Sequence, residues 1–260
     1  MRQTWGSLLF MHWPIEPALL RPLVPIELDI DTHDGAAWIG VIPFTMWNIR
    51  RIGLPAAPGL SAFHELNVRT YVHHRGEPGV WFFSLDASKR IPVRVARAVY
   101  GLPYHHARIT LDRIGETITY TSHRVQRGAP AAAFDARWTI GAAQPNSAPG
   151  SLVFFLTERY CLYAQHRRNL LRARIAHEPW PLHDATLAHM RSSMVSALGI
   201  PEPTGDPLLH STDRLDVRVW KPEQVKPIRP TIHRTPSPGW ASLQPTPRSC
   251  LPPAPRNSQH

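Results

Sequence analysis

Cysteine is nearly absent from this chain, with Cys161 and Cys250 the only two among 260 residues. A small secreted scaffold held by disulfides needs more, and Cys250 falls in a stretch that cannot pack, so a native disulfide is not expected. No run approaches the roughly 18 apolar residues of a membrane span. The N-terminal stretch MRQTWGSLLFMHWPIEP has one early Arg and an apolar patch broken by His12 and Pro14. It lacks a small-residue cleavage site and does not read as a signal peptide. A glycine-rich phosphate loop, a nucleophile elbow and a dinucleotide fingerprint are also missing. His73-His74 and His105-His106 lack metal-ligand spacing, so no metal and no cofactor are expected from the fifteen histidines. These absences leave a soluble cytoplasmic protein with no membrane partner as the expectation.

What is present is apolar and basic. Hydrophobic residues make up 43% of the chain, enough for one good core. The nine Trp point to a large core or a wide aromatic pocket. The net charge of +10 raises the question of nucleic acid. Lys226, Arg229, Arg234, Arg248 and Arg256 occupy a segment without a single acid, and a denser stretch lies at Arg167, Arg168, Arg172 and Arg174. No RNA- or DNA-binding motif accompanies them, so the charge reads as a solvated surface and nucleic acid is not expected as a partner.

Alternation predicts strands at 5–13, 36–50, 63–74, 80–87, 136–140, 169–177 and 214–220, with Pro43 at a bulge or edge. A hairpin turning near Gly115 is predicted over 106–125. Leu19, Leu20 and Leu23 suggest a short helix stopped by Pro25. Further helices are predicted at 91–100 and 184–198, and helix is favoured over strand for 151–165. Residues 223–260 are dense in Pro, Ser, Thr and Arg and cannot bury enough apolar surface to offset chain entropy. The expected organisation is one domain over 1–222 followed by a disordered basic tail over 223–260.

Several segments carry a family resemblance: PALLRPLVPIELDIDTHDGAAWIGVIPF (17–44), FHELNVRTYV (63–72), GVWFFSLDA (79–87), ARAVYGLPYHHA (96–107), FLTERYCLYA (155–164) and EPWPLHDA (178–185). In this order they resemble the YqjF-like family, a bacterial group of unknown function in the acetoacetate decarboxylase-like superfamily. The resemblance implies an α+β fold with an antiparallel, barrel-like β core around a pocket and a few short helices. LRPLVPIELDID (20–31) and ARAVYGLPYHH (96–106) are also similar, more distantly, to the decarboxylase itself. Aligned on Pro103, Arg97 falls on a shared arginine, and Tyr104 and His105 fall on the enzyme's two lysines. Counting back from Tyr104 by the enzyme's own interval between its first lysine and its active-site glutamate lands on Glu65, while the arginine before its first helix falls on Gly6. The first lysine is the Schiff-base nucleophile; a phenol cannot form an imine. The resemblance thus supports the fold and the pocket and argues against the reaction.

Glu65, Asn67 and Arg69 alternate, so they share one face of a strand while Leu66 and Val68 share the other. In a closed sheet that polar face lines a pocket; otherwise it meets solvent or forms a structural network. Tyr104 and His105 are capable of acid–base work, and the bland alternative is packed turn residues. Glu158 and Arg159 read as a buried pair fixing their element to the core, and His12 reads as a core histidine. The expected function is binding of a small carbonyl or carboxylate compound, with acid–base chemistry centred on Glu65, Tyr104 and His105. Asn67, Arg69 and Arg97 would serve as ligand-binding groups. The alternatives are a non-catalytic protein with a degenerate decarboxylase-like pocket and an interaction module acting through the basic tail. A homo-oligomer is allowed, and the sequence names neither the ligand nor the oligomeric state. Truncation at Lys226 is expected to leave the melting temperature within about a degree, because no packed contact is lost; insoluble product or a drop of many degrees would refute the tail assignment.

Overall fold

The computed structural model describes residues 1–50, 61–89 and 101–225. Thirteen strands run among them: β1 (Arg2–Ile15), β2 (Asp29–Ile30), β3 (Ala37–Arg50), β4 (Phe63–His74), β5 (Glu77–Ala87), β6 (Tyr104–Ile114), β7 (Thr117–Arg124), β8 (Ala133–Ala143), β9 (Cys161–His166), β10 (Asn169–Ala176), β11 (His183–Ser192), β12 (Leu208–Val219) and β13 (Glu223–Gln224). Two short α-helices, α1 (Pro17–Leu20) and α2 (Leu152–Thr157), and two 3-10 turns complete the elements. The expected short helix before Pro25 is therefore present. Residues 91–100, with their expected helix, and the chain from 226 onward lie outside the described residues.

All thirteen strands join one sheet that forks twice. The β5 strand pairs along one edge with β4; on its other edge Val80 and Trp81 pair with β9, and Leu85 to Ala87 pair with β6. The β12 strand pairs on one side with β1, and on the other with β11 at Ser211 and with β10 at Arg218 and Val219. Between the forks the sheet closes into two ring-like halves that share the wall β12–β1–β3–β4–β5. One half is completed by β6, β7, β8 and β11, the other by β9 and β10. The pairings of β5 with β6 and β9 are parallel; the other pairings are antiparallel.

A wall between two closed halves is buried on both faces, which is why β1 reads as a near-continuous apolar run. Alternation then sorts its residues. Leu9, Met11 and Trp13, Ile39 and Val41, and Leu66 and Val68 pack into the first half with Tyr120, Phe134 and Trp138, which fill its interior. Leu8 and Phe10, Ile42, Phe44 and Met46 face the second half. On β5 a bulge matters: Val68 pairs with Ser84 and Arg69 with Phe82, so Phe83 has no counterpart on β4. The slip restores parity, and Phe82 and Leu85 both turn toward the second half. Pro43 lies where the β1–β3 register shifts between Gly6/Thr45 and Met11/Val41, as a bulge proline would.

Two local expectations are corrected. Residues 184–198 are not a helix: β11 covers His183–Ser192, and only Ser196–Leu198 turn, as a 3-10 segment. Ala185, Leu187 and Met190 favour helix locally, but β8 needs a partner along His183–Ser192, and sheet closure overrides propensity. In 151–165 the helix stops at Thr157 and β9 begins at Cys161. The helix starts on a sound cap, with Ser151 Oγ accepting from the Phe154 amide.

The β5–β9 junction closes the second half, and Gly79 lets it form: a Cβ there would stand 2.7 Å from the Cys161 carbonyl and 2.8 Å from the Tyr163 ring. Gly79→Ala is expected to cost about 1–3 kcal/mol by overpacking, measured by denaturant unfolding. An unchanged midpoint would mean that the two strands can separate freely.

Candidate functional site

The second half encloses a cavity of about 350 Å³, within the size range of small-molecule sites. Its wall is mostly apolar, with Phe10, Phe44, Phe82, Leu85, Leu162 and Trp180 among its residues. Glu65, Asn67 and Arg69 form its polar floor, because β4 alternation sends them all to this face. Tyr104, the first residue of β6, reaches the same cavity beside Leu85, its parallel partner.

At one end the Tyr104 hydroxyl donates to Glu65 Oε2 at 2.8 Å. Behind them the Tyr120 hydroxyl holds the Glu65 carbonyl at 2.9 Å. Glu65 is only 2% exposed, and burial pushes its carboxyl up to about 8. The Tyr104 hydrogen bond opposes that rise, and nearby Asp86 adds to it. Asp86 itself sits on the opposite face of β5, in a buried ion pair with Arg124. Its carboxyl is also raised by burial, against the pull of Arg124. At neutral pH Glu65 is therefore mostly a neutral acid able to donate a hydrogen bond.

At the other end lies Arg69, about 13 Å from Glu65 along an extended strand at four residues' separation. Its Nη2 donates to the Leu156 carbonyl at 3.2 Å and more weakly to the Tyr71 hydroxyl at 3.4 Å. The guanidinium stands over the Phe10 and Tyr71 rings, 5.4 and 5.6 Å from their centroids. Its Nε is buried without a partner, and so is the carboxamide oxygen of Asn67. No carboxylate among the described residues pairs with Arg69. Trp180 on the wall has an unpartnered Nε1 as well, so the lining carries the Arg69 cation without an acid, a neutral acid and three unsatisfied polar atoms, separated by apolar wall.

Arg159 and His177 also line the cavity, and sequence reasoning missed both as site residues. The paired reading of Glu158 and Arg159 is corrected: Arg159 donates to Asp31 Oδ2 at 2.6 Å, while Glu158 Oε1 accepts from the Trp180 amide at 3.0 Å. Arg159 anchors the end of α2 to the loop after β2; a tertiary partner 128 residues away leaves no trace in local spacing. His177 follows β10, stacks on Tyr160 and has its pKa lowered by burial. His12 lies in the core, with its Nε2 2.6 Å from the Tyr71 hydroxyl. Since that hydroxyl donates to the Leu156 carbonyl at 2.8 Å, His12 is the donor of their bond.

The remaining site expectations separate. His105 is not part of the cavity lining; β6 alternation places it with Ala107 and Ile109, which face the packed half. Arg97 lies outside the described residues. The chain's lysines are Lys89, Lys221 and Lys226; neither of the two that are described lines the cavity. The described residues contain no cluster of three or more metal-ligating side chains and no helix long and apolar enough to cross a membrane.

A family profile, DUF2071, described as an uncharacterized conserved protein, matches residues 2–216. The uncharacterized protein YqjF of Bacillus subtilis is 43% identical over 220 residues, covering 85% of this chain and 90% of that one. Three solved structures show the fold. The enduracididine biosynthesis enzyme MppR complexed with pyruvate superposes with a TM-score of 0.60 at 13% identity, over 86% of this chain and 89% of that one. An acetoacetate decarboxylase-like enzyme from Sphingomonas wittichii gives 0.58 at 16% identity, over 86% and 93%. Acetoacetate decarboxylase from Legionella pneumophila gives 0.56 at 14% identity, over 86% and 87%.

A raised carboxyl makes stability depend on pH with a definite sign. Between the unfolded value of 4.5 and the folded value of about 8, the native state holds a proton that the unfolded state releases. Stability is therefore full below about 4.5 and is lost as pH rises through 8. Glu65→Gln, which cannot ionise, should lack this component. The variant is expected to gain on the wild type by roughly 4 kcal/mol between pH 5 and pH 9, read from denaturant midpoints. Parallel pH profiles for the two proteins would show that Glu65 is ionised in the fold.

Proposed function

The chain belongs to the DUF2071 family of uncharacterized conserved proteins and has the acetoacetate decarboxylase-like fold, and on that footing we propose that it binds a small organic compound bearing a carbonyl and an anionic group. The observation that carries this reading is the cavity's division into two poles. Arg69 offers a guanidinium with a buried, unpartnered Nε–H at one pole. The Glu65–Tyr104 pair offers a neutral acid at the other. A carboxylate would take the place of the acid that Arg69 lacks. A carbonyl oxygen would accept from the Glu65 acid, and the Asn67 oxygen would take up a ligand hydroxyl or N–H. The apolar wall between the poles favours an aliphatic spacer over a compact oxo acid.

Polarising a ligand carbonyl by a neutral carboxylic acid is acid–base chemistry, and it needs no amine. The Glu65 acid and the Tyr104 hydroxyl would supply it, with Asn67 and Arg69 orienting the ligand. Tyr104 stands where the decarboxylase resemblance puts the Schiff-base lysine, so that enzyme's imine route is not part of this proposal. The non-catalytic alternative uses the same contacts for binding alone.

A series of oxo acids that differ in carbonyl-to-carboxylate spacing separates these ideas by calorimetry. Members with a spacer are expected to bind, and Arg69→Met should weaken them by about 10- to 100-fold, the worth of a charge-assisted hydrogen bond. Borohydride should trap no ligand adduct. If no oxo acid binds, or if Arg69→Met leaves affinity unchanged, the two-pole reading is wrong.

A further inference from the structure

A second hollow of about 570 Å³ adjoins the cavity and shares Gln3 and His177 with it. Its character is opposite, being lined by Arg2, Arg50, Arg214 and Arg218 against the carboxylates Glu178 and Asp216. Three of the arginines lie side by side across adjacent strands. Arg2 on β1 is directly opposite Arg218 on β12 and directly opposite Arg50 on β3. Directly opposed residues share a face, and like charges there repel.

The arginines that meet acids elsewhere are paired with them: Arg113 with Asp213, Arg124 with Asp86, Arg159 with Asp31, and Arg172 with Glu77. Arg2, Arg50 and Arg218 have no acidic partner among the described residues. Asp216 is occupied by Thr4, whose hydroxyl donates to it at 2.7 Å, and by Arg214 at 3.6 Å. Burial favours the neutral form of His177, so it adds little charge where the two spaces adjoin. Three unpaired guanidiniums in one concave site match the several oxygens of a phosphate group.

We propose that Arg2, Arg50 and Arg218 form an anion-binding vestibule for a phosphate group carried by a ligand whose apolar body enters the adjoining cavity. The inference rests on the cavity being a ligand site, and it specifies the ligand class as a phosphate ester with an apolar body.

Calorimetric titration of octyl phosphate, 1-octanol and inorganic pyrophosphate tests it on the full chain. The variant is Arg50→Ser/Arg218→Ser, which changes two exposed side chains. The wild type is expected to bind octyl phosphate at least about ten-fold more tightly than 1-octanol, with the advantage shrinking as salt rises. In the variant the advantage should fall below about three-fold, while 1-octanol binds as before. Equal binding of the two probes by the wild type, or an advantage that survives in the variant, overturns the proposal. If 1-octanol does not bind, the cavity does not take an apolar body by itself, the oxo acids remain the test of the cavity reading, and pyrophosphate alone decides the vestibule. Pyrophosphate binding that is lost in the variant upholds the anion site, and no binding overturns it. A single-stranded oligonucleotide held through the same arginines more tightly than octyl phosphate would make the partner a nucleic acid, and would also overturn the proposal.

Discussion

The structure depends on a wall of strands buried on both faces. β1, β3 and β4 stand between two closed halves of one sheet, so the residues along their central stretches face an interior. Period-two alternation becomes a sorting rule: Phe63, Glu65, Asn67 and Arg69 of β4 face the cavity, and Leu66 and Val68 between them enter a packed core. Leu66 and Val68 meet the aromatic filling of Tyr120, Phe134 and Trp138. Glu65, Asn67 and Arg69 meet open space. The two faces need each other. The packed face holds the strand rigid enough for three polar groups to remain in a largely apolar cavity, and the Phe83 bulge keeps the neighbouring strand in step.

That wall also sets the electrostatics of the site. Glu65 is dry, its hydrogen-bond partner is a phenol, and the one charge contributing to its shift is another carboxylate. A lysine at position 104 would have provided an ammonium and favoured the ionised glutamate. Tyr104 provides a hydroxyl, and burial wins. The same cavity then presents two different functions of polarity, a neutral donor at one end and a permanent cation at the other. The cation is held by a carbonyl and two aromatic faces, and no carboxylate among the described residues neutralises it.

Much of the fold was legible. The early strand, the short helix before Pro25, the hairpin at Gly115 and the bulge at Pro43 follow from apolar runs, turn residues and a missing backbone donor. The failures share one cause. His183–Ser192 has the side chains of a helix and becomes a strand because β8 has an edge to cover. Leu152–His166 holds a helix and a strand in succession, and its apolar spacing does not mark the break. At the cavity, Glu65, Asn67 and Arg69 could be placed on one face by counting. Arg159 and His177 could not, because they arrive from chain segments remote from β4.

The sequence by itself determined the local alternation, the family and the lack of a lysine at position 104, since each is a property of neighbouring residues or of residue identity. It also limited the choices for the polar face of β4 to a pocket or solvent. Only the tertiary structure decided between them, because closure of the sheet through β9 and β10 depends on pairings between segments far apart in the chain. The same closure took His105 out of the cavity, brought His177 in and separated Arg159 from Glu158. Burial and charge environment are set by what arrives from elsewhere, and that information is not carried by the spacing of residues along a strand.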